Sequence, residues 1–290
     1  MMTAFRRNVL TFTSGYEFGG GEERRIYSAL RPDFTIALVG CGGTGSLLAE
    51  GLMRLLLNYP DAHLILVDGD TVEERNLLRQ NFYPEEIGGF KSEVLANRLA
   101  RRFQRPVAYI TEMLGLKRPE NDYLGAPEGT VLHNVSIIIG AVDNPMARKS
   151  IASQVSHSTF WVDSGNGDHY GQVLIGNARK PSKHDFDAEG HCFALPLPTV
   201  QRAELLLPAA ESEADDPSCA LAVQLGQQSP VINQIMAALT LEVVRRLITG
   251  TCSWMALSVA LDQGQVTPIM ATPENAAAAW QVKTKEVITK

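Results

Sequence analysis

The sequence has no uninterrupted apolar run long enough to cross a lipid bilayer, so we expect no membrane-spanning segment. Residues 1–18 also lack the apolar core and the small-residue cleavage site of a secretory signal. Cysteine is scarce, and the four cysteines stand far apart, at positions 41, 192, 219 and 252, which argues against a disulfide framework. Together these absences predict a cytoplasmic protein.

Basic tracts are missing as well. The 26 lysines and arginines are outnumbered by 32 acidic residues, which gives a net charge of -6. The densest basic group, the arginines at positions 98, 101, 102 and 105, has near-helical spacing and is interpreted as a solvated helix face. Because nucleic-acid surfaces concentrate their cations, we do not expect nucleic-acid binding.

Short apolar runs alternate with helical patterns along the first half of the chain. Runs at 36–39, 64–67, 107–111 and 137–139 are typical of buried parallel strands, and patterns at 46–57 and 92–102 predict helices. Further on we predict strands at 160–163, 170–176, 254–261 and 265–269, a helix at 231–248, and a polar alanine-rich tail. This order predicts an α/β fold with a Rossmann-like, doubly wound, mostly parallel sheet, with added antiparallel strands and a helix in the C-terminal third.

The same patterns divide the chain into four segments. Residues 1–33 form an N-terminal segment, and residues 34–176 form the nucleotide-binding core. Residues 177–230, rich in proline and charge over much of their length, are interpreted as a long mobile loop, since loops of that length are usually functional or disordered. Residues 231–290 are expected to complete the same domain.

A glycine turn follows the first predicted strand. Gly40, Gly42 and Gly45 have the G-x-G-x-x-G spacing, and Gly43 adds a further glycine inside it. Such a turn lets backbone N–H groups approach a phosphate at a helix N-terminus. Asp68 ends the next strand, where a carboxylate holds ribose hydroxyls. Up to this point, an NAD-dependent oxidoreductase fits equally well.

A polar run after the second strand favours a triphosphate instead. It contains Asp70, Asn76, Arg79, Gln80 and Lys91. A dinucleotide does not need this group, whereas the β- and γ-phosphates of ATP carry charges that must be neutralised and aligned. The planar donor fork of Arg79 and the point charge of Lys91 suit a leaving pyrophosphate.

A second acidic position follows a later strand. Asp143 and Asn144 come directly after the apolar run at 137–140. The carboxyl edge of a doubly wound sheet is where ligands bind, so Asp143 is a candidate ligand for Mg²⁺ held against phosphates. The alternative is a simple Asx turn, in which the side chain bonds its own backbone before Pro145.

Taken together, these motifs resemble the ThiF/MoeB superfamily, which includes the ubiquitin-activating enzymes. The resemblance rests on G-C-G-G-T-G-S, V-D-G-D, R-N-L-L-R-Q, the lysine at 91 and A-V-D-N. It covers residues 34–176 well and the C-terminal third loosely. Within the superfamily, the chain is most similar to stand-alone bacterial ThiF-like proteins, of the kind found in PRTRC gene cassettes.

The resemblance implies an enzyme that uses ATP and Mg²⁺ to adenylate the C-terminal glycine carboxylate of a ubiquitin-like or sulfur-carrier protein. It places Asp143, Arg79 and Lys91 at the reaction centre and Asp143 on the Mg²⁺. It assigns nucleotide contacts to Gly40, Gly42, Gly43, Gly45, Asp68, Asp70, Asn76, Gln80 and Asn144. It also implies a homodimer, formed through the C-terminal half, and makes residues 177–230 a crossover loop.

Two departures from the family pattern stand out. Many members bind structural zinc through two C-x-x-C pairs; this chain has none, so no zinc site is expected. Members also commonly contribute an arginine to a dimer partner from a segment like R-Y-x-R-Q. That pattern is absent here, which leaves this arginine unassigned.

Some relatives pass the activated carboxylate to a cysteine. Cys219 stands in a context similar to the P-x-C-T-L of ubiquitin-activating enzymes and is the candidate thiol, with an inert loop cysteine as the equal alternative. Cys192, beside His191, is the second choice, and Cys252 is expected in the core. The rival functions are a non-catalytic scaffold subunit and an NAD-dependent oxidoreductase.

Overall fold

The computed structural model describes residues 25–28, 30–114, 132, 134–188, 191–207 and 230–289. The first half alternates strands and helices: β1 (Thr35–Val39), α1 (Gly43–Leu56), β2 (His63–Val67), α2 (Lys91–Phe103), β3 (Ala108–Ile110), β4 (Ile137–Gly140) and α3 (Pro145–Gln154). The second half contains β5 (Phe160–Asn166), β6 (Tyr170–Gly176), α4 (Pro198–Gln201), α5 (Pro230–Ile248), β7 (Trp254–Ala260), β8 (Gln265–Met270) and α6 (Pro273–Trp280).

All eight strands join one sheet in the order β3-β2-β1-β4-β5-β6-β7-β8. The pairs from β3 through β5 are parallel, and the pairs from β5 through β8 are antiparallel. The predicted Rossmann-like sheet with added antiparallel strands is therefore confirmed. Strands β1 and β4 are neighbours although β2 and β3 intervene in sequence, so the sheet reverses its winding between them. Ligands bind at such a switch point in doubly wound sheets.

The sheet is covered on both faces, because alternate residues of the central strands enter different cores. Ile36 and Leu38 pack into the larger core with α1 and α2, whereas Ala37 and Val39 pack into a smaller core with Ile151 of α3. Side chains of period 2 point to opposite faces of a strand, so an uninterrupted apolar run is what a doubly covered strand requires.

Part of the segment expected to be a crossover loop packs against the sheet. Phe186, Cys192 and Leu195 are fully buried, and Leu197 is nearly so. Backbone hydrogen bonds join Asn177 and Ala178 to the carbonyl oxygen of Leu195. Residues 177–188 and 191–207 therefore contribute to the core, while residues 208–229 lie outside the described part of the chain.

Several helices differ from the sequence-based expectation, and α3 and α4 were not predicted. Helix α1 begins at Gly43 rather than Ser46, because the glycine turn itself forms the first helical turn. The alanine-rich tail contains helix α6, which the sequence analysis missed. The Thr272 hydroxyl accepts a hydrogen bond from the backbone N–H of Asn275, and Pro273 occupies the first helical position, a typical N-terminal signal.

The basic group on α2 is held by protein contacts more than was expected. Arg98 pairs with Glu86 at 2.7 Å, and Arg105 donates to the carbonyl oxygens of Leu56 and Tyr59. Arg102 lies 3.3 Å from a carboxylate oxygen of Glu50. These arginines thus contact neighbouring elements, while Arg101 and Arg102 are exposed, as expected for a solvated helix face. No helix in the described part of the chain is long and apolar enough to span a membrane.

Candidate functional site

A cavity of about 1360 Å³ opens at the carboxyl edge of the parallel strands. Its wall includes the glycine turn after β1, the end of β2, the polar run, the loop after β4 and the end of β5. Of the residues predicted for the site, the cavity is lined by Gly40, Gly42, Gly43, Asp68, Asp70, Asn76, Arg79, Gln80, Lys91, Asp143 and Asn144. The structure therefore brings most of the predicted set together at the switch point.

The glycine turn is shaped by close backbone approaches. Gly40 has a φ of +90°, which favours glycine, and a Cβ there would lie 2.4 Å from the carbonyl oxygen of Ala141. A Cβ on Gly45 would lie 1.9 Å from the carbonyl oxygen of Gly40, so Gly45 supports the turn from behind instead of lining the cavity. Gly42 is the N-cap of α1 and lines the cavity. A Cβ placed on Gly42 would have only the Gln80 amide nitrogen nearby, at 3.9 Å. The open backbone at Gly42 gives a ligand room to approach.

Asp68 connects the end of β2 to the glycine turn. One carboxylate oxygen accepts the backbone N–H of Cys41 at 2.6 Å, and the other accepts that of Asp70 at 2.8 Å. Partial burial raises the pKa of Asp68, and these two hydrogen bonds and Lys91 oppose the rise. Each oxygen retains acceptor capacity, so the carboxylate can also receive hydroxyl donors from a ligand.

Lys91 reaches the cavity because its segment pairs with the polar run. The backbone N–H of Lys91 donates to Asp70 at 2.8 Å, and Val72 and Gly89 pair beside it. The buried Lys91 ammonium lies 2.9 Å from the Asp70 carboxylate. Asp70 was expected to contact the nucleotide, whereas in the structure its carboxylate forms an ion pair with Lys91.

The 3₁₀ helix Glu74–Leu78 orders the rest of the polar run. The buried Asn76 side chain accepts the backbone N–H of Glu73 at 2.9 Å, so its oxygen fixes this helix while the residue lines the cavity. Gln80 is held through its backbone N–H, which donates to Asn76 at 2.8 Å. The Gln80 Oε1 atom is buried without a hydrogen-bond partner among the described residues. This oxygen is free to accept a hydrogen bond from a water molecule or a ligand in the cavity.

The turn after β4 supplies the second acidic group. Asp143 is exposed at the cavity wall, and the Asn144 side chain caps α3 by accepting the backbone N–H of Ala147 at 2.7 Å. Asn144 thus makes the capping bond that the Asx alternative described, whereas the Asp143 carboxylate lies on the cavity wall.

Several residues of the site were missed by sequence reasoning. Arg148 lines the cavity, and its Nε lies 3.3 Å from both carboxylate oxygens of buried Asp163 on β5. Burial raises the pKa of Asp163 to about 6, against the opposing effect of Arg148. Thr44 and Asn166 also line the cavity. Thr44 lies inside the glycine-turn motif but was not selected, whereas Arg148 and Asn166 were found only where α3 and β5 meet the cavity.

Three of the four cysteines lie in the described part of the chain, and all three are buried. Cys41, Cys192 and Cys252 are fully buried, and burial raises the pKa of each thiol. His191 bonds Asp187 at 2.9 Å, and the Cys192 thiol contacts the carbonyl oxygen of Ala194, so the structure does not support a His191–Cys192 pair. Cys252 is a core residue, as expected. Cys219 lies outside the described residues.

Comparisons with known proteins show similarities in sequence and in fold. The model of the ThiF family matches residues 27–277. Ubiquitin-like modifier-activating enzyme 5 of Branchiostoma floridae is 32% identical over 183 residues, which are 60% of this chain and 41% of that protein. The ATP-dependent ubiquitin transferase-like protein Cap2 of Escherichia coli (strain TW11681) is 32% identical over 132 residues, 46% of this chain and 21% of its own length. The chain thus spans less than half the length of these relatives.

Two solved structures share the fold. E. coli MccB, crystallised with ATP, superimposes with a TM-score of 0.53 and 18% identity over 83% of this chain and 65% of MccB. PaaA superimposes with a TM-score of 0.54 and 18% identity over 86% of this chain and 74% of PaaA. At these identities the likeness concerns the fold alone.

Proposed function

The chain belongs to the ThiF family, and we propose that it uses ATP to adenylate the C-terminal carboxylate of a ubiquitin-like or sulfur-carrier protein. The observation that carries this proposal is the convergence of the predicted polar residues, from separate loops, on one cavity at the switch point of the sheet. Relatives named as ubiquitin-like modifier-activating enzymes support the choice of substrate class.

The residues present fit a nucleoside triphosphate. The open backbone at Gly42 lies at the start of α1, which suits a phosphate, and Asp68 can accept ribose hydroxyls. Arg79 and Lys91 also line the cavity, where they would neutralise the departing β- and γ-phosphates. The cavity exceeds the ~300–1,000 Å³ of ordinary small-ligand pockets, which leaves room for the end of a second substrate.

Asp143 is the residue that would hold Mg²⁺. Its carboxylate is exposed at the cavity wall, and Mg²⁺ in nucleotide enzymes is bound by one or two carboxylates together with substrate phosphates. When bound, the ion would neutralise charge on the phosphates. The neighbouring Asn144 is committed to capping α3, so Asp143 alone would serve this role within the turn.

The chemistry requires alignment more than a protein nucleophile. A carrier carboxylate oxygen would form a bond to the α-phosphorus, the bond from that phosphorus to the β-phosphate oxygen would break, and pyrophosphate would leave. Holding both reactants in line and neutralising the developing charge supplies most of the catalysis in such transfers. The cations, amides and helix N-terminus of the cavity offer these contributions.

A transfer step is a further part of the proposal. Cys219 would attack the acyl carbon of the adenylate through its thiolate, form a thioester and release AMP. The sequence context of Cys219 supports this assignment, and the burial of the other three cysteines removes competitors. Cys219→Ser should leave adenylation intact and abolish a thioester that is sensitive to hydroxylamine. Persistence of that thioester in the variant would exclude Cys219.

Pyrophosphate exchange into ATP tests the adenylation step. We expect exchange that depends on a carrier protein ending in Gly-Gly and falls at least ~100-fold in Asp143→Ala. Asp262→Ala is the matched control, because Asp262 is an exposed aspartate outside the cavity. Tight binding of NAD without binding of ATP would refute the proposal. Binding of ATP without exchange, with every carrier tried, would instead favour a scaffold subunit.

The remaining expectations concern assembly and location. We propose that the chain forms a homodimer through its C-terminal half in the cytoplasm. Mixing two inactive variants, each altered in a different residue of the cavity, would restore exchange only if a partner subunit completes the site. Light scattering at working concentration would give the oligomeric state directly.

A further inference from the structure

A buried ion pair stands behind the Asp143 turn. Arg148 comes from the first turns of α3 and Asp163 from the centre of β5, and both side chains are almost completely buried. The Arg148 Nε lies 3.3 Å from each Asp163 oxygen. Burying two charges costs free energy that their attraction only partly returns. A contribution to stability is therefore a weak explanation for this ion pair.

The same guanidinium fixes the backbone next to Asp143. Its Nη2 donates to the carbonyl oxygen of Val142 at 2.7 Å, and Val142 directly precedes Asp143. On the other side, Asn144 is fixed by its cap on Ala147 at 2.7 Å. The turn that carries Asp143 is therefore held at both ends, by Arg148 before it and by the helix cap after it.

The surroundings leave little space for this pair to move. A Cβ on Gly140 would lie 3.1 Å from the Asp163 carboxylate, and a Cβ on Gly165 would lie 3.3 Å from Arg148 Nη2. Arg148 has its charge compensated by Asp163 and two of its nitrogens engaged in hydrogen bonds, so it is a poor free anion site. Its planar fork is suited to joining a carboxylate and a carbonyl, which a lysine point charge cannot do together.

We propose that Arg148, oriented by Asp163, is a positioning residue that fixes the Val142–Asn144 turn and thereby the Asp143 carboxylate toward metal and phosphate. This inference rests on the proposed function of Asp143. The guanidinium acts through the Val142 carbonyl and the turn conformation.

Arg148→Lys tests the inference with the full chain. The charge remains, but one ammonium cannot replace both contacts. We expect the Mg²⁺ affinity of the nucleotide complex, measured by calorimetry, to fall about 10-fold, as for other residues that orient a metal ligand. Nucleotide affinity without metal should change less than ~2-fold. Arg179→Lys is the matched control, since Arg179 donates to the carbonyl oxygen of Ala152 on the same helix outside the cavity.

A double-mutant cycle separates positioning from direct contact. In an Asp143→Asn background, Arg148→Lys should change the Mg²⁺ affinity and the rate of pyrophosphate exchange by no more than ~2-fold. The Asp143 carboxylate that Arg148 positions is already absent in that background. If Arg148→Lys lowers the Mg²⁺ affinity by the same factor with and without Asp143, the proposal is overturned. An unchanged Mg²⁺ affinity in Arg148→Lys alone would also overturn it.

Hydrogen exchange provides a readout that does not require activity. The amides of residues 141–147 should exchange at least ~10-fold faster in Arg148→Lys than in Arg179→Lys, with the β1 amides unchanged. Equal protection in the two variants would overturn the positioning role even if the chain binds no nucleotide. Absence of nucleotide binding in the wild type, with the exchange difference present, would refute the proposed function only. If Arg148→Lys does not fold, Asp163→Asn is measured in the same way, and unchanged turn amides there would overturn the inference.

Discussion

Placing a methyl group on Gly43 should force helices α1 and α5 apart. Gly43 begins α1, and a Cβ there would lie 2.4 Å from Nδ2 and 2.9 Å from Cγ of Asn233. Asn233 lies on α5 and is completely buried. Distances this short cannot persist, so either the Asn233 amide must leave its position or α5 must shift away from α1.

The expected loss in free energy of unfolding depends on the hydrogen bonds that Asn233 loses. Its Oδ1 accepts hydrogen bonds from Thr44 at 3.3 Å and from Asn166 at 3.1 Å. Losing both costs about 2 kcal/mol, and overpacking adds about 1–3 kcal/mol. Replacing glycine by alanine in a helix returns about 0.5–1 kcal/mol. We therefore expect Gly43→Ala to destabilise the fold by about 2–4.5 kcal/mol. With an unfolding entropy of about 2.1 cal/mol/K per residue over 290 residues, this lowers Tm by about 3–7 °C.

Gly42→Ala provides the matched control. A Cβ on Gly42 meets only the Gln80 amide, at 3.9 Å, which is an ordinary contact. Thermal and urea unfolding should place this variant within about 1 kcal/mol of the wild type, the usual size of an N-cap change. A loss of stability at Gly42 as large as at Gly43 would show that the glycine turn, rather than the Asn233 contact, causes the effect.

Asn233→Ala tests whether a steric clash with Asn233 causes the loss of stability in Gly43→Ala. Asn233→Ala removes the amide that the new methyl group would strike, at the expense of its hydrogen bonds. Gly43→Ala should then cost less than about 1 kcal/mol in the Asn233→Ala background, giving a coupling energy above about 1 kcal/mol. If the two effects add within about 0.5 kcal/mol, the steric explanation is wrong.

Two further predictions concern single carboxylates. Asp68→Asn should lower nucleotide affinity about 10-fold in calorimetry, because a charged acceptor is lost beside the Cys41 amide. Asp61→Asn, at an exposed aspartate, is the control. Equal nucleotide affinities in the two variants would contradict the assignment of Asp68 to the ribose. Burial raises the pKa of Asp185 from 3.8 to about 6, so the folded state binds this proton more tightly and the resulting stability is lost as pH rises from about 4 through about 6. The decrease in Tm between pH 4 and 7 should therefore be smaller in Asp185→Asn than in the exposed control Asp33→Asn, and parallel curves would exclude Asp185 as the cause.

Local patterns were sufficient for most of the fold. Strand β6 was predicted at residues 170–176 and is found there, and β4 differs from its prediction only by the added Gly140. Runs that are buried on both faces carry a strong signal, because every position in them must be apolar. Helix α6 was missed because alanine gives no amphipathic contrast, although the Thr272–Pro273 start signal was present.

The contacts that organise the cavity were beyond local patterns. Cys219 lies outside the described residues, so its role stays a prediction. The Lys91–Asp70 ion pair joins positions 21 residues apart, and the Thr44–Asn233 contact joins positions 189 apart. No periodicity reports which distant side chains will meet, because that depends on how complete elements pack.

The sequence by itself determined the doubly wound fold class, the glycine turn and the residue types that suit a triphosphate. These follow from backbone geometry and from apolar periodicity, which act over a few residues. Only the tertiary structure decided that Asp70 bonds Lys91, that Asn144 caps a helix while Asp143 faces the cavity, and that Arg148 and Asp163 stand behind that turn. Such roles are set by which groups are desolvated together, and burial is a property of the packed chain.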